Sequence, residues 1–130
     1  MTVSDSAATM TDLVPLLIVA EIRKSVDFYQ QLGFEMVARW ELEDGTLGWC
    51  RMRRGGVLVM LQQACVEDEP AAGRGHGVAF FINCDDVDKL HAELRSRGIP
   101  VGPVETTFYQ MKQVYLKDPD GYQLCFDSPA

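Results

Sequence analysis

Two histidines, His76 and His91, and four cysteines, Cys50, Cys65, Cys84 and Cys125, are the chain's whole supply of imidazole and thiol groups. His76 lies in Gly73-Arg74-Gly75-His76-Gly77, and with Glu105 it is the best pair the sequence offers for holding a metal or for general acid–base work. His91 falls one turn into an expected helix, where a structural role is the simpler reading. The glycine run superficially looks like a phosphate loop. It precedes a strand and opens no helix, so the N-terminal dipole that would hold a phosphate is missing. Cys125 has no cation nearby in sequence to stabilise a thiolate and reads as an inert buried thiol. There is no CxxC pair, and a chain of this length needs no disulfide staples, so reduced thiols and a cytoplasmic protein are expected.

Wide, flat or soft side chains form the other chemically suggestive set. Trp40, Trp49, Phe108, Tyr109 and Met111 lie on or beside strand-like runs, where such groups can sandwich a planar guest.

The elements that must position these residues follow from an internal repeat. Shifted by 65 positions, Gly33 falls on Gly98, Gly56 on Gly121, and Glu21, Ile22 and Lys24 on Asp86, Val87 and Lys89. The apolar run Leu13 to Ala20 reads as a strand covered on both faces. Ile22, Val26, Tyr29 and Leu32 recur at helical spacing before Gly33, which supplies a left-handed stop. Strands are expected over 34–41, 46–52 and 57–62, separated by Glu43-Asp44-Gly45 and Arg54-Gly55-Gly56. In the second half a strand over 78–84 precedes a helix capped by Asp85 or Asp86, with Val87, Leu90 and Leu94 buried and Gly98 ending it. Strands over 99–105, 111–117 and 122–127 follow, the last two joined by the turn Asp118-Pro119-Asp120-Gly121. Each half therefore reads β-α-β-β-β, the fold class α+β. A single domain over 13–130 is expected, with modules 13–62 and 77–127, an exposed connector 63–76 and a disordered polar tail 1–12.

The formal charge is −7. That balance argues against a protein tracking a phosphate backbone, which needs a dense basic face, and so no nucleic-acid partner is expected. It suits a cationic small ligand. Arg51, Arg53 and Arg54 read as the solvated end of a hairpin. The apolar run 13–20 is too short to cross a bilayer, and the tail lacks a basic start, so no membrane partner or secretory signal is expected.

These motifs, in order, resemble the vicinal oxygen chelate superfamily of glyoxalase I, extradiol dioxygenases and bleomycin-resistance proteins. The likeness is carried by Val14-Pro15 through Glu21, Ser25-x-x-Phe28-Tyr29, Leu32-Gly33-Phe34, Asp85-Asp86-Val87-Asp88 and Asp118-Pro119-Asp120-Gly121, and it spans Leu13 to Asp127. It implies two modules whose mixed sheets curl into a cup, with a homodimer completing two such cups. Enzymes of the family hold a divalent metal through His and Glu on the first and last strand of each module. The matching positions here are Val14, Met60, Ala79 and Cys125, none of which is His, Asp or Glu, so no metal and no other cofactor is expected.

Strand alternation from those positions points Val14, Leu16, Ile18, Leu58, Met60, Ala79, Phe81, Gln123 and Cys125 into the cup. The expected ligand-binding set is therefore Trp40, Trp49, Met60, Phe81, Phe108, Tyr109, Met111 and Cys125, with no catalytic residue. Gly77-Val78-Ala79-Phe80-Phe81 and Tyr109-Gln110-Met111 look most like the bleomycin-resistance branch, although its members often carry an acid where Gln113 stands. That branch implies metal-free sequestration of an aromatic or cationic small molecule. The alternative is a metal-dependent lyase, isomerase or dioxygenase using His76, Glu105 or a residue of the partner chain in place of the lost ligands.

Overall fold

A computed structural model of the chain describes residues 6–65, 69–70 and 73–130. The first module runs β1 (Leu16–Val19), α1 (Ile22–Gln31), β2 (Glu35–Glu41), β3 (Leu47–Arg54) and β4 (Val57–Gln63). The second runs β5 (Ala79–Asn83), α2 (Val87–Ser96), β6 (Glu105–Thr106), β7 (Met111–Lys117) and β8 (Gln123–Pro129). Each forms a four-stranded mixed sheet, ordered β1-β4-β3-β2 and β5-β8-β7-β6, in which only the pairs β1–β4 and β5–β8 are parallel. The α+β reading of two matched modules is what the molecule shows. Part of the expected connector, 66–68 and 71–72, and the first five residues of the tail lie outside the described residues.

The repeat extends to how each helix is held. Gly33 and Gly98 both have positive φ, and the amides after them, of Phe34 and Ile99, bond back to the carbonyls of Tyr29 and Leu94. At the other end, the backbone N–H of Ile22 donates to Gln63 Oε1 at 3.0 Å and that of Val87 to Ser128 Oγ at 3.0 Å. Both donors and both acceptors are 65 positions apart (87 − 22 and 128 − 63). Each helix is thus capped by the last strand of its own sheet, which satisfies an otherwise orphaned N-terminal amide and fixes helix to sheet. Asp86 adds a cap of its own on α2, accepting from the Lys89 amide.

The side of each sheet that meets its helix is apolar. Leu17, Val19, Cys50, Met52, Val59 and Leu61 from the first module join Val114, Leu116, Leu124 and Phe126 from the second in one buried cluster with Val26, Tyr29, Val87 and Leu94. Polar groups then clamp the modules through the β7–β8 turn. Tyr29 donates its hydroxyl to Asp118 Oδ2 at 2.9 Å, Tyr122 donates to the Ile18 carbonyl at 2.9 Å, and Asp120 accepts from the Ala20 amide at 2.8 Å. Asp118 Oδ1 meanwhile accepts from the amides of Asp120 and Tyr122, which ties the Asp-Pro-Asp-Gly turn.

Three local expectations change. The strand over 99–105 shrinks to Glu105–Thr106, because Pro100 and Pro103 have no amide to offer a ladder. Of the arginines read as a solvated hairpin end only Arg53 is fully so, paired with exposed Glu35: Arg54 donates to the Leu32 carbonyl and pairs with Glu93 on α2 at 2.8 Å, while Arg51 lies half-buried in β3. Within the connector, Arg74 has only 8% of its side chain exposed and pairs with Asp120, so that end of it is docked on the second module's turn.

Candidate functional site

Alternation along the strands leaves each sheet a second face, turned away from its helix. On the first sheet the register places Leu16, Met60, Arg51 and Ala38 in one row and Ile18, Gln62, Trp49 and Trp40 in the next. Trp40 is 63% exposed. The Arg51 guanidinium carbon lies 5.9 Å from the Trp49 ring centroid, a cation–π distance, and its Nε is buried with no hydrogen-bond partner among the described residues. Trp40, Trp49, Gln62, Gln63 and Cys65 wall a depression of about 510 Å³ beside these rows.

On the second sheet Phe81, Cys125 and Tyr115 form one row, and Asn83, Asp127, Gln113 and Glu105 the next. The Phe81 and Tyr115 rings meet edge to face, 6.4 Å apart, and Cys125 between them on the ladder is fully buried. Burial pushes the Cys125 thiol up, opposed by a hydrogen bond with Tyr115 and reinforced by the Asp127 charge. Gln113 is buried and wired at both ends: its Nε2 donates to the Tyr109 hydroxyl at 3.0 Å, and its Oε1 accepts from the Tyr115 hydroxyl at 3.3 Å. That wiring holds Tyr109, at the tip of the β6–β7 hairpin, against the sheet. Its neighbour Phe108 is 94% exposed and touches Tyr109 edge to face.

The residues expected from sequence to line the cup thus divide between two faces. Trp40, Trp49 and Met60 belong to the first sheet; Phe81, Met111 and Cys125 belong to the second, with Phe108 and Tyr109 at its hairpin tip. Within one chain these sets stand on separate sheets, and the depression beside the tryptophans is walled by first-module residues and Cys65 just after them. His76 lines another hollow, with Arg74, Lys117 and Gln123. Glu105 sits in the Asp127 row, four positions along β8 from Gln123, or roughly 13 Å at the usual strand rise.

The donor positions Val14, Met60, Ala79 and Cys125 offer two hydrocarbon side chains, a thioether and a thiol whose proton burial retains. Among the described residues no three His, Cys, Asp or Glu side chains converge as a metal site would require. These residues do not fit a divalent ion within one chain, and no chemistry is assigned through one. No helix among the described residues is long and apolar enough to cross a membrane.

Arg51, Gln113, Tyr115 and Asp127 were not expected at this site. The signal for Asp127 was present, since it stands two residues beyond Cys125 on the same strand. For Tyr115 and Gln113 it was weaker, because no sequence rule gives the register of β7 on β8.

Residues 9–126 match the family model described as Glyoxalase/Bleomycin resistance protein/Dioxygenase superfamily. Among solved structures, a bleomycin-binding protein complexed with bleomycin is 21% identical, with a TM-score of 0.72 over 93% of this chain and 100% of that one. A bleomycin resistance determinant encoded on the transposon Tn5 is also 21% identical, with a TM-score of 0.73 over 92% and 98%. TnmS3, an antibiotic binding protein from Streptomyces sp. CB03234, is 24% identical, with a TM-score of 0.71 over 95% and 99%. No match was found among curated proteins.

Proposed function

The chain belongs to the Glyoxalase/Bleomycin resistance protein/Dioxygenase superfamily, and from that premise we propose that it binds and sequesters a small aromatic or cationic molecule, without a metal and without altering it. The observation that carries this reading is one of substitution on a retained scaffold. Where family enzymes place metal donors, this chain has Val14, Met60, Ala79 and Cys125, while the same sheet faces present Trp40, Trp49, Phe81 and Tyr115. Flat rings on an apolar floor bind planar guests by stacking and burial, and supply no donor set for a metal.

The cup is completed by a second copy of the chain. Leu16, Trp40, Val78, Phe81 and Tyr115 are large apolar or aromatic side chains left exposed on or beside the two outward faces, which a partner would cover. Pairing the first sheet of one copy with the second sheet of another covers both and brings the two halves of the expected ligand set into one hollow.

Tryptophan fluorescence titration against bleomycin and a panel of planar antibiotics tests the reading, with Trp40→Ala as the control. Saturable quenching at a stoichiometry of one or two per dimer, weakened in Trp40→Ala without loss of folding, supports it. A flat response to every compound refutes it. Stoichiometric divalent metal in protein purified without chelators, together with turnover of the guest, would favour a metal-dependent lyase or dioxygenase instead.

A further inference from the structure

We infer that Asp127 is a ligand-recognising residue of this cup, and that the guest carries a protonated nitrogen with an N–H donor on or next to its planar body. The inference rests on the sequestration reading above and adds the charge and donor chemistry of the guest.

The direction of Asp127 follows from its strand. Leu124 and Phe126 pack into the buried cluster, and Ser128 Oγ accepts from the first amide of α2, so these three side chains face the helix. Cys125 and Asp127 therefore face the other way, onto the outer surface of the second sheet. Yet Asp127 is only 6% exposed, and its Oδ1 is buried with no hydrogen-bond partner among the described residues. No described cation lies within ion-pair distance of it. Its ladder partner Gln113 is engaged with Tyr109 and Tyr115, and Lys112, one residue away on β7, is turned to the helix side, where it pairs with Asp88.

A carboxylate oxygen buried without a partner is costly for a fold to hold, since its desolvation is not offset by any bond. Such a group persists at a site that supplies the partner from outside. The surroundings specify what that partner is. Glu105 lies in the same row and adds negative charge. The Phe81–Tyr115 ring pair stands one row away, two residues or roughly 7 Å along β8, and Tyr109 flanks the same row through Gln113. An acceptor beside aromatic edges fits a protonated amine, amidine or ring nitrogen attached to a flat aromatic system.

The test compares two planar probes of nearly equal size at neutral pH, 9-aminoacridine, which is a cation with N–H donors, and acridine, which is neutral. Tryptophan quenching and calorimetry are run on the wild-type protein and on Asp127→Asn. Expected are a preference of about tenfold or more for 9-aminoacridine in the wild type, its collapse in Asp127→Asn, and an acridine affinity that changes by less than about twofold. The ligand-free variant is expected to melt at the same temperature or higher, because no hydrogen bond within the chain depends on the buried Oδ1; a merely structural Asp127 would show the opposite. Equal binding of the two probes by the wild type, or equal weakening of both in the variant, overturns the inference while leaving sequestration standing. Loss of self-association in Asp127→Asn also overturns it, by making the residue a subunit contact, for instance to the partner subunit's Arg51. Failure of the wild type to bind either probe overturns the inference and counts against sequestration of planar guests as well.

Discussion

Replacing Tyr29 by Phe separates a hydrogen bond from a titration, because the two effects act at different pH. Tyr29 is 1% exposed, and its hydroxyl donates to Asp118 Oδ2 at 2.9 Å, joining residues 89 apart in sequence across the two modules. Near neutrality the substitution removes a hydrogen bond to a charged acceptor and leaves Oδ2 without that donor, for a loss of about 1.5–3 kcal/mol. Burial, then the charge of Asp118 and the bond to it, push the Tyr29 hydroxyl far above its ordinary value of 10.0. A raised folded pKa contributes stability that is complete below the unfolded value and is lost as pH rises beyond it. The unfolded chain releases the proton near pH 10 and the folded chain retains it, so stability falls by about 1.4 kcal/mol per pH unit above 10, or about 2.7 kcal/mol by pH 12. Tyr29→Phe has no such proton. Its stability curve should start roughly 2 kcal/mol below wild type at pH 7, converge above pH 10 and cross at about pH 11.5. Urea unfolding followed by circular dichroism at pH 7 to 12 measures this, other tyrosines and lysines contributing equally to both proteins. Parallel curves from pH 10 to 12 would refute the reasoning, since they would mean that the hydroxyl ionises as freely in the fold as out of it.

The duplicated helix caps should behave alike: Gln63→Ala and Ser128→Ala each remove the acceptor for the first amide of a helix, and each should cost about 1 kcal/mol in denaturant melts. A neutral result for both would mean that water replaces the side chains. Gln110 is the one non-glycine residue of positive φ among the described residues, at 66°, and it stands 65 positions after Gly45, whose φ is 84°. Gln110→Gly should accordingly raise stability by up to about 1 kcal/mol, read as a higher melting temperature, whereas a decrease would show that its side chain makes a contact worth more than the strain. At Gly75, with φ at 76°, an added Cβ would sit 2.8 Å from the Tyr122 Cα and 3.0 Å from the Gly121 carbonyl oxygen. Gly75→Ala should therefore destabilise by about 1–3 kcal/mol, and an unchanged melting temperature would mean that the docked connector moves freely off the turn.

Much of the fold was legible because the signals were local and repeated. Helical spacing with glycine stops after Leu32 and Arg97, turn sequences at Glu43-Asp44-Gly45 and Asp118-Pro119-Asp120-Gly121, and strand alternation all depend on residues within a few positions of one another. The same alternation correctly sorted Leu17, Val59, Leu124 and Phe126 to the helix side, and Leu16 and Phe81 to the other. Three readings differ from the structure, two because a distant partner decided them and the third because prolines within the segment outweigh its strand formers. Arg54 reads as solvated in sequence, but Glu93 and the Leu32 carbonyl lie within its reach. Arg74 looked like part of an exposed connector, yet Asp120 holds it. Ile99 to Val104 carry strand-forming residues, but two prolines and packing on the core outweigh that propensity.

From residue order alone came the doubled β-α-β-β-β plan and the two faces of each strand, because periodicity requires no knowledge of distant neighbours; that Val14, Met60, Ala79 and Cys125 stand at metal-donor positions is what the family resemblance adds. Tertiary structure alone decided that Gln113 would be fixed between Tyr109 and Tyr115, that Tyr29 would reach Asp118, and that Asp127 would lie buried with an oxygen unpaired. Each of these depends on strand register and module docking. Those follow from the summed packing of many weak contacts far apart in sequence, and no single residue announces them.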